Sequence, residues 1–196
     1  MKKSVEILEL SIKEVTIPIV GISPLVVHAW SEKAKKEMED KQAGKAKNKK
    51  HEIRIPAEDY EAAKHKLTDG TDGFPAAGFK AAMVRGAKSC GLVMKDVQTA
   101  FFIKSDDPTR QLVRIYGTAE MHCDPVRVGM GAADLRYRPY YNTWSANLRI
   151  EFNSGVISLD QLYQIVKAGG WGGGIGEMRP EKTKFEYGRW NLAEVN

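Results

Sequence analysis

The sequence predicts an α+β chain of ferredoxin-like order, β-α-β-β-α-β, carrying a basic insertion after its first strand. Three observations point there: stretches in which apolar and charged residues alternate, two segments with apolar residues at helical spacing, and the order in which these succeed one another.

Residues 5–21, VEILELSIKEVTIPIVG, set Val5, Ile7, Leu10 and Ile12 among charges and continue through Val15, Thr16 and Ile17, a strand composition. Pro18 lacks a ladder donor, which predicts a bulge or bend there. A short apolar run, SPLVVHAW, follows. Residues 31–55 then hold eight lysines, Arg54 and five acids, too polar for a core and expected as an exposed loop or arm. AEDYEAAKHKL, residues 57–67, reads as a short helix with acids first and lysines last, as the helix dipole prefers.

In residues 69–91 two Asp-Gly turns lead to Pro75, and Phe79, Ala82, Met83 and Ala87 recur at helical spacing before Gly91: the first main helix. VQTAFFIK and LVRIYGTAEMHC read as two strands of a hairpin joined by SDDPTR. Residues 126–144 show little periodicity. SANLRIEF alternates as a strand does. SLDQLYQIVKAGG follows as the second main helix, with Ser158 as cap, Leu159, Leu162, Ile165 and Val166 as apolar face, and Gly169 as stop. FEYGRWNLAEV closes the chain as a strand.

At 196 residues the chain can bury a real core, and a single domain with an insertion at about residues 31–67 is expected. A formal charge of +5 and a pI near 9.1 permit polyanionic partners without requiring them. Cys90 and Cys123 alone supply neither a disulfide framework nor a C-x-x-C zinc site, which suits a reducing cytoplasm. The first residues lack the apolar stretch of a signal peptide, and no run approaches the ~20 apolar residues that span a bilayer, so a soluble, intracellular protein without a membrane partner is expected. Asp69 with Asp72, and Asp106 with Asp107, lie in turn strings where aspartate serves the backbone, so neither metal nor cofactor is assigned.

Residues 169–190, GGWGGGIGEMRPEKTKFEYGRW, contain seven glycines and two tryptophans. They match neither a dinucleotide fingerprint nor a P-loop. Bare amides at Gly172, Gly174 and Gly176 with Arg179, Lys182 and Lys184 close behind make an anion-binding concavity chemically reasonable; a tight crossover that needs small residues, with Trp171 as a plug, is the alternative. RYRPYYNTW combines rings that stack on bases with guanidinium groups, and Arg136, Arg138, Tyr140, Tyr141 and Trp144 are its candidates, against core packing for some of the rings. Lys45, Lys47, Lys49, Lys50 and Arg54 can add a flexible cationic surface or merely solvate a loop.

Three strings together resemble one family. GISPLVVHAW is similar to the segment after the first strand of the RAMP superfamily, the repeat-associated proteins that include CRISPR effector backbone subunits. GFPAAGFKAAMVRGAK resembles that family's first-helix motif, although Ala81 rather than glycine follows Lys80 and Arg85 lies five residues on. The glycine-rich string resembles its loop between the second helix and the last strand. The resemblance implies a modified RNA-recognition-motif fold that binds single-stranded RNA or DNA, as repeated copies or beside other subunits of a ribonucleoprotein, in CRISPR antiviral defence or in a phage-type relative. On it, Lys80 would meet phosphate near a helix N-terminus.

No catalysis is expected. Some relatives cut RNA without metal through histidine, which makes an endoribonuclease using His28 the runner-up and a structural subunit of a phage or mobile-element assembly the third alternative. His51 and His65 fall in the insertion and His122 in a strand, and no catalytic partner stands at a suggestive spacing.

Overall fold

The computed structural model describes residues 10–30, 32–45, 54–128 and 132–194. In chain order the elements are β1 (Ile12–Gly21), β2 (Leu25–Val26), α1 (Glu32–Gln42), α2 (Pro56–Ala62), β3 (Gly73–Pro75), α3 (Ala76–Ser89), α4 (Met94–Ala100) and β4 (Phe101–Lys104). Then come β5 (Leu112–Arg114), β6 (Ala119–Val128), β7 (Ala132–Tyr141), β8 (Ser145–Asn153), α5 (Leu159–Ala168), a π-helical turn (Gly169–Gly173) and β9 (Trp190–Leu192).

The main sheet runs β4-β8-β1-β9 with every neighbouring pair antiparallel. With α3 between β1 and β4 and α5 between β8 and β9, this is the ferredoxin-like arrangement, first and third core strands at the centre. Period two splits its residues between two faces. Ile17, Ile19, Leu148 and Ile150 point to the helices and pack with Phe79, Met83, Leu162 and Ile165 in one fully buried core. Burial of such side chains stabilises by roughly 1.5–3 kcal/mol each. Glu14, Thr16 and Pro18, opposite Glu151, Arg149 and Asn147, occupy the face without helices.

The two main helices follow the sequence, except that Leu159, expected on the apolar face of α5, is 42% exposed and leaves that face to Leu162, Ile165 and Val166. Phe79, Ala82, Met83 and Ala87 are the buried stripe of α3, which ends just before Gly91 at φ +74°. Ser158 and Gln161 close a capping box at the start of α5. Gly169, expected as a stop, is helical instead and carries the chain into the π turn. The reason is packing: a Cβ on Gly86 would lie 2.4 Å from the Gly169 nitrogen, so the helices meet backbone to backbone.

Four strand expectations need correction. Pro18 makes no bulge; the β1–β8 register runs unbroken through Pro18↔Asn147. Its carbonyl accepts from Ala193 at 3.0 Å, so its nitrogen faces the end of β9, where the ladder stops and a missing donor costs little. Secondly, VQTAFFIK and LVRIYGTAEMHC form no hairpin. Val97 to Ala100 belong to α4, β4 pairs with β8, and β5 pairs with β3. SDDPTR closes only a local turn, bridging Asp107 to Leu112, and the Asp107 carboxylate accepts from the Thr68 nitrogen and hydroxyl, at 2.7 and 2.6 Å, which ties that turn to the chain before α3.

Thirdly, residues 126–128 and 132–141 are strand. β6 and β7 form a long hairpin from Ala119↔Tyr141 to Val128↔Ala132, extended by β2 into a second sheet ordered β2-β7-β6. Fourthly, the last strand is confined to Trp190–Leu192, since Gly188 turns at φ +69° where a Cβ would lie 1.9 Å from the Ile175 oxygen. In the insertion, α1 forms within residues 31–55, and α2 is shorter than 57–67. Ala63 and Leu67 beyond it are buried. Residues 5–9 of the first strand expectation lie outside the described residues. No helix among the described residues is long and apolar enough to cross a membrane.

Candidate nucleic-acid interface

Alternation along the hairpin puts Arg136, Arg138 and Tyr140 of β7 on one face with Glu120, His122 and Asp124 of β6 opposite them. The His122 ring stacks on Tyr140 at 5.2 Å between centroids. Tyr187 meets Tyr140 edge-on at 6.2 Å and lies parallel to Phe185 at 6.0 Å. Four rings thus form one row from the hairpin onto the loop before β9. The loop is fixed there by backbone bonds: Gly188 donates to the Pro24 oxygen at 2.7 Å and Glu177 to the Val26 oxygen at 2.8 Å, and β2 itself pairs with β7. Phe185 is exposed, and Tyr140 and Tyr187 are half-buried. Beneath the row, Asp124 is buried between His122 Nε2 at 3.0 Å and Arg138 at 3.3 Å.

The proposed site residues divide sharply. Tyr140 stands in the row, and the half-exposed Arg136 makes no hydrogen bond or ion pair with the described residues. Lys184 is exposed and likewise without a partner among them. Arg138, Tyr141 and Trp144 are corrections, because all three are buried and offer no face to a strand. Arg138 is spent on Asp124. Burial, with Asp72 beside it, pushes the Tyr141 hydroxyl far above its usual range. The Trp144 indole donates to the Ser23 oxygen at 2.8 Å and fills the space beside Gly21.

Other cations are partly committed. Arg54 joins Asp59 at 2.7 Å and Asp134 at 2.5 Å and donates to the Leu135 oxygen. Arg179 donates to the Gly176 oxygen at 2.9 Å and contacts Glu181, while Lys182 lies 3.3 Å from Glu177. Lys80 is half-buried with its ammonium 3.9 Å from the centroid of the Phe102 ring, and desolvation lowers its pKa. Lys45 is exposed. Lys47, Lys49 and Lys50 lie outside the described residues.

The glycine run is chiefly a packing device, the alternative weighed above. A Cβ on Gly170 would lie 2.2 Å from the Trp190 oxygen, and one on Gly176 2.3 Å from the Val26 oxygen. Gly174 and Gly176 are buried, and Gly172 alone of the three proposed glycines opens to space. Trp171 is no plug: it is 69% exposed, with the Arg189 guanidinium 4.3 Å over its ring.

No family model matches the chain, and no curated protein matches it in sequence. Among solved structures it is similar to Cmr6 from Pyrococcus furiosus, with 12% identity and a TM-score of 0.45 over 94% of this chain and 100% of that one.

His122, Phe185, Tyr187, Trp171 and Arg189 were absent from the sequence-derived set. The signal was present in part, since Phe185, Tyr187 and Arg189 alternate in FEYGRW. The remaining histidines lie elsewhere. His28 is half-buried; burial and then the nearby Arg138 and Arg136 lower its pKa. Burial brings His65 to about 4, with His28 adding to the shift. His51 lies outside the described residues. Asp69 accepts from Thr71 and Arg114, and Asp106 from the Arg114 nitrogen, as turn carboxylates do. Both cysteines are free and exposed.

Proposed function

We propose that this chain binds single-stranded RNA or DNA without catalysis, stacking bases along the His122–Tyr140–Tyr187–Phe185 row and holding phosphates with Arg136, Lys184 and the partly committed loop cations. The observation that carries the reading is the row itself, in which rings from two chain segments present a partly exposed edge, with Arg136 and Lys184 on the same segments and without partners among the described residues. Stacking alone reaches micromolar affinity only at the upper end of its range, and phosphate contacts supply the remainder below it. Stacking of two or three bases contributes roughly 2–9 kcal/mol at 1–3 kcal/mol per base, whereas micromolar affinity needs about 8. The resemblance to the RAMP superfamily supports the same reading and adds side-by-side assembly along the strand, within a CRISPR-type ribonucleoprotein or a phage-type relative.

Fluorescence anisotropy with labelled single strands tests it. About three neutralised phosphates give a slope near −2 in log affinity against log salt, so raising salt from about 50 to 200 mM should weaken binding by ~20-fold. Affinity that ignores salt contradicts phosphate contact. End-labelled RNA should remain intact in the presence of a chelator; discrete cuts would favour the endoribonuclease.

A further inference from the structure

Beside the hairpin lies a cleft of about 360 Å³ that the row does not use. It opens because the chain leaves β7 after Val27 donates to the Pro139 oxygen, and crosses to α2, where Ala29 donates to the Ala63 oxygen at 2.8 Å. Residues 28–30, Arg54, one side of α2 from Asp59 on, and Asp134, Arg136 and Tyr137 of β7 form its walls. Its size falls at the lower end of small-ligand pockets, roughly 300–1,000 Å³.

The lining is mixed in a way that narrows the ligand. Trp30, 64% exposed, and the half-buried Tyr137 and His28 offer rings. Arg136 offers a guanidinium with no partner among the described residues, whereas Arg54 is already held between Asp59 and Asp134. Those carboxylates remain about one-third exposed, 36% and 35%, and can still accept hydrogen bonds. A free phosphate would satisfy Arg136 but meet two carboxylates. A neutral ring compound would leave Arg136 unanswered. A ligand with an anionic end, a flat ring and N–H or O–H donors answers all three.

We infer that this cleft holds one nucleotide, its phosphate on Arg136, its base against Trp30 and Tyr137, and its amino or hydroxyl donors toward Asp59 and Asp134. The inference deepens the proposed function, since Arg136 lies four residues from Tyr140 on β7, about 13 Å at 3.3 Å per residue, within reach of a strand that follows the row. The same chemistry would accept a free nucleoside monophosphate.

The test follows the Trp30 indole N–H resonance of the full chain, assigned with Trp30→Phe, during titration with AMP, adenosine, inorganic phosphate and an oligoadenylate hexamer. AMP should give a saturable shift that neither adenosine nor phosphate reproduces at equal concentration. Arg136→Ala should weaken AMP binding about tenfold or more, with Arg136→Lys partly restoring it. Trp30→Ala, at an exposed position, should weaken it in a chain whose folding is not in question. A hexamer that moves the same resonance and competes with AMP makes the nucleotide part of the strand; AMP alone doing so makes it a free one, and both support the cleft. Equal shifts from phosphate or adenosine, or no saturation with AMP, overturn it. If AMP fails while the hexamer still binds with steep salt dependence, the cleft inference falls and the proposed function stands; the reverse outcome separates them the other way.

Discussion

Two β surfaces of this molecule carry rings and cations, and they differ in how much of their charge is already used. On the open face of the main sheet, Lys104 holds Glu14 at 2.7 Å, and Arg149 lies 3.4 Å from Asp106 while donating to the Ser105 oxygen. The hydrogen bond from Lys104 lowers the Glu14 pKa, as expected of a pair that answers itself. Phe102 there lies under the Lys80 ammonium. Along the β6–β7 hairpin and the loop beside it, rings touch rings, and Arg136 and Lys184 have no partner among the described residues. The contrast teaches that a count of +5 says little about where a polyanion binds; charge left uncompensated beside stacked rings says more.

Tyr140→Ala combined with Tyr187→Ala should weaken single-strand binding most, by ~100-fold or about 3 kcal/mol, since two stacking platforms are lost. The two surfaces are also separable from the fold beneath them. Gly170→Ala should destabilise by about 1–3 kcal/mol in a thermal melt, because its methyl group meets the Trp190 oxygen, whereas Gly172→Ala should leave the melting temperature nearly unchanged. Arg136→Ala should cost five- to tenfold in affinity for unrelated sequences alike and flatten the salt slope by about 0.7, the share of one phosphate on a single strand. Lys184→Ala should cost about two- to threefold in the same titration. Lys104→Ala and Phe102→Ala, on the open face, should change affinity by less than about twofold, within the range of an exposed ion pair and of a ring that already carries the Lys80 ammonium on one face. A loss for these as large as for the tyrosines would erase the distinction between the surfaces.

The central strands and both main helices were legible because one apolar stripe fixes each of them. Phe79, Ala82, Met83 and Ala87 are all buried as their spacing requires, and Ser158 caps α5 as its chemistry requires. The hairpin was not, although Arg136, Arg138 and Tyr140 alternate with Tyr137, Pro139 and Tyr141. Pro125 and Pro139 argue against strands, and both faces of the ribbon carry polar groups, so the contrast that reveals period two is weak. Arg138 shows why rings and cations in one string mislead: Asp124, its partner, comes from the facing strand and is visible only in the register. The glycines were legible as a need for bare backbone, but what approaches that backbone is the protein's own chain. Gly86 meets Gly169 and Gly170 meets Trp190, contacts between segments distant in sequence.

The most direct test of the account is a map of backbone and side-chain amide shifts during titration of the full chain with an unlabelled single strand. The largest changes are expected at His122, Arg136, Tyr140, Lys184, Phe185 and Tyr187, with Thr16, Phe102, Asn147 and Arg149 nearly still. Changes centred on those four residues of the open sheet, with the ring row unmoved, would contradict it.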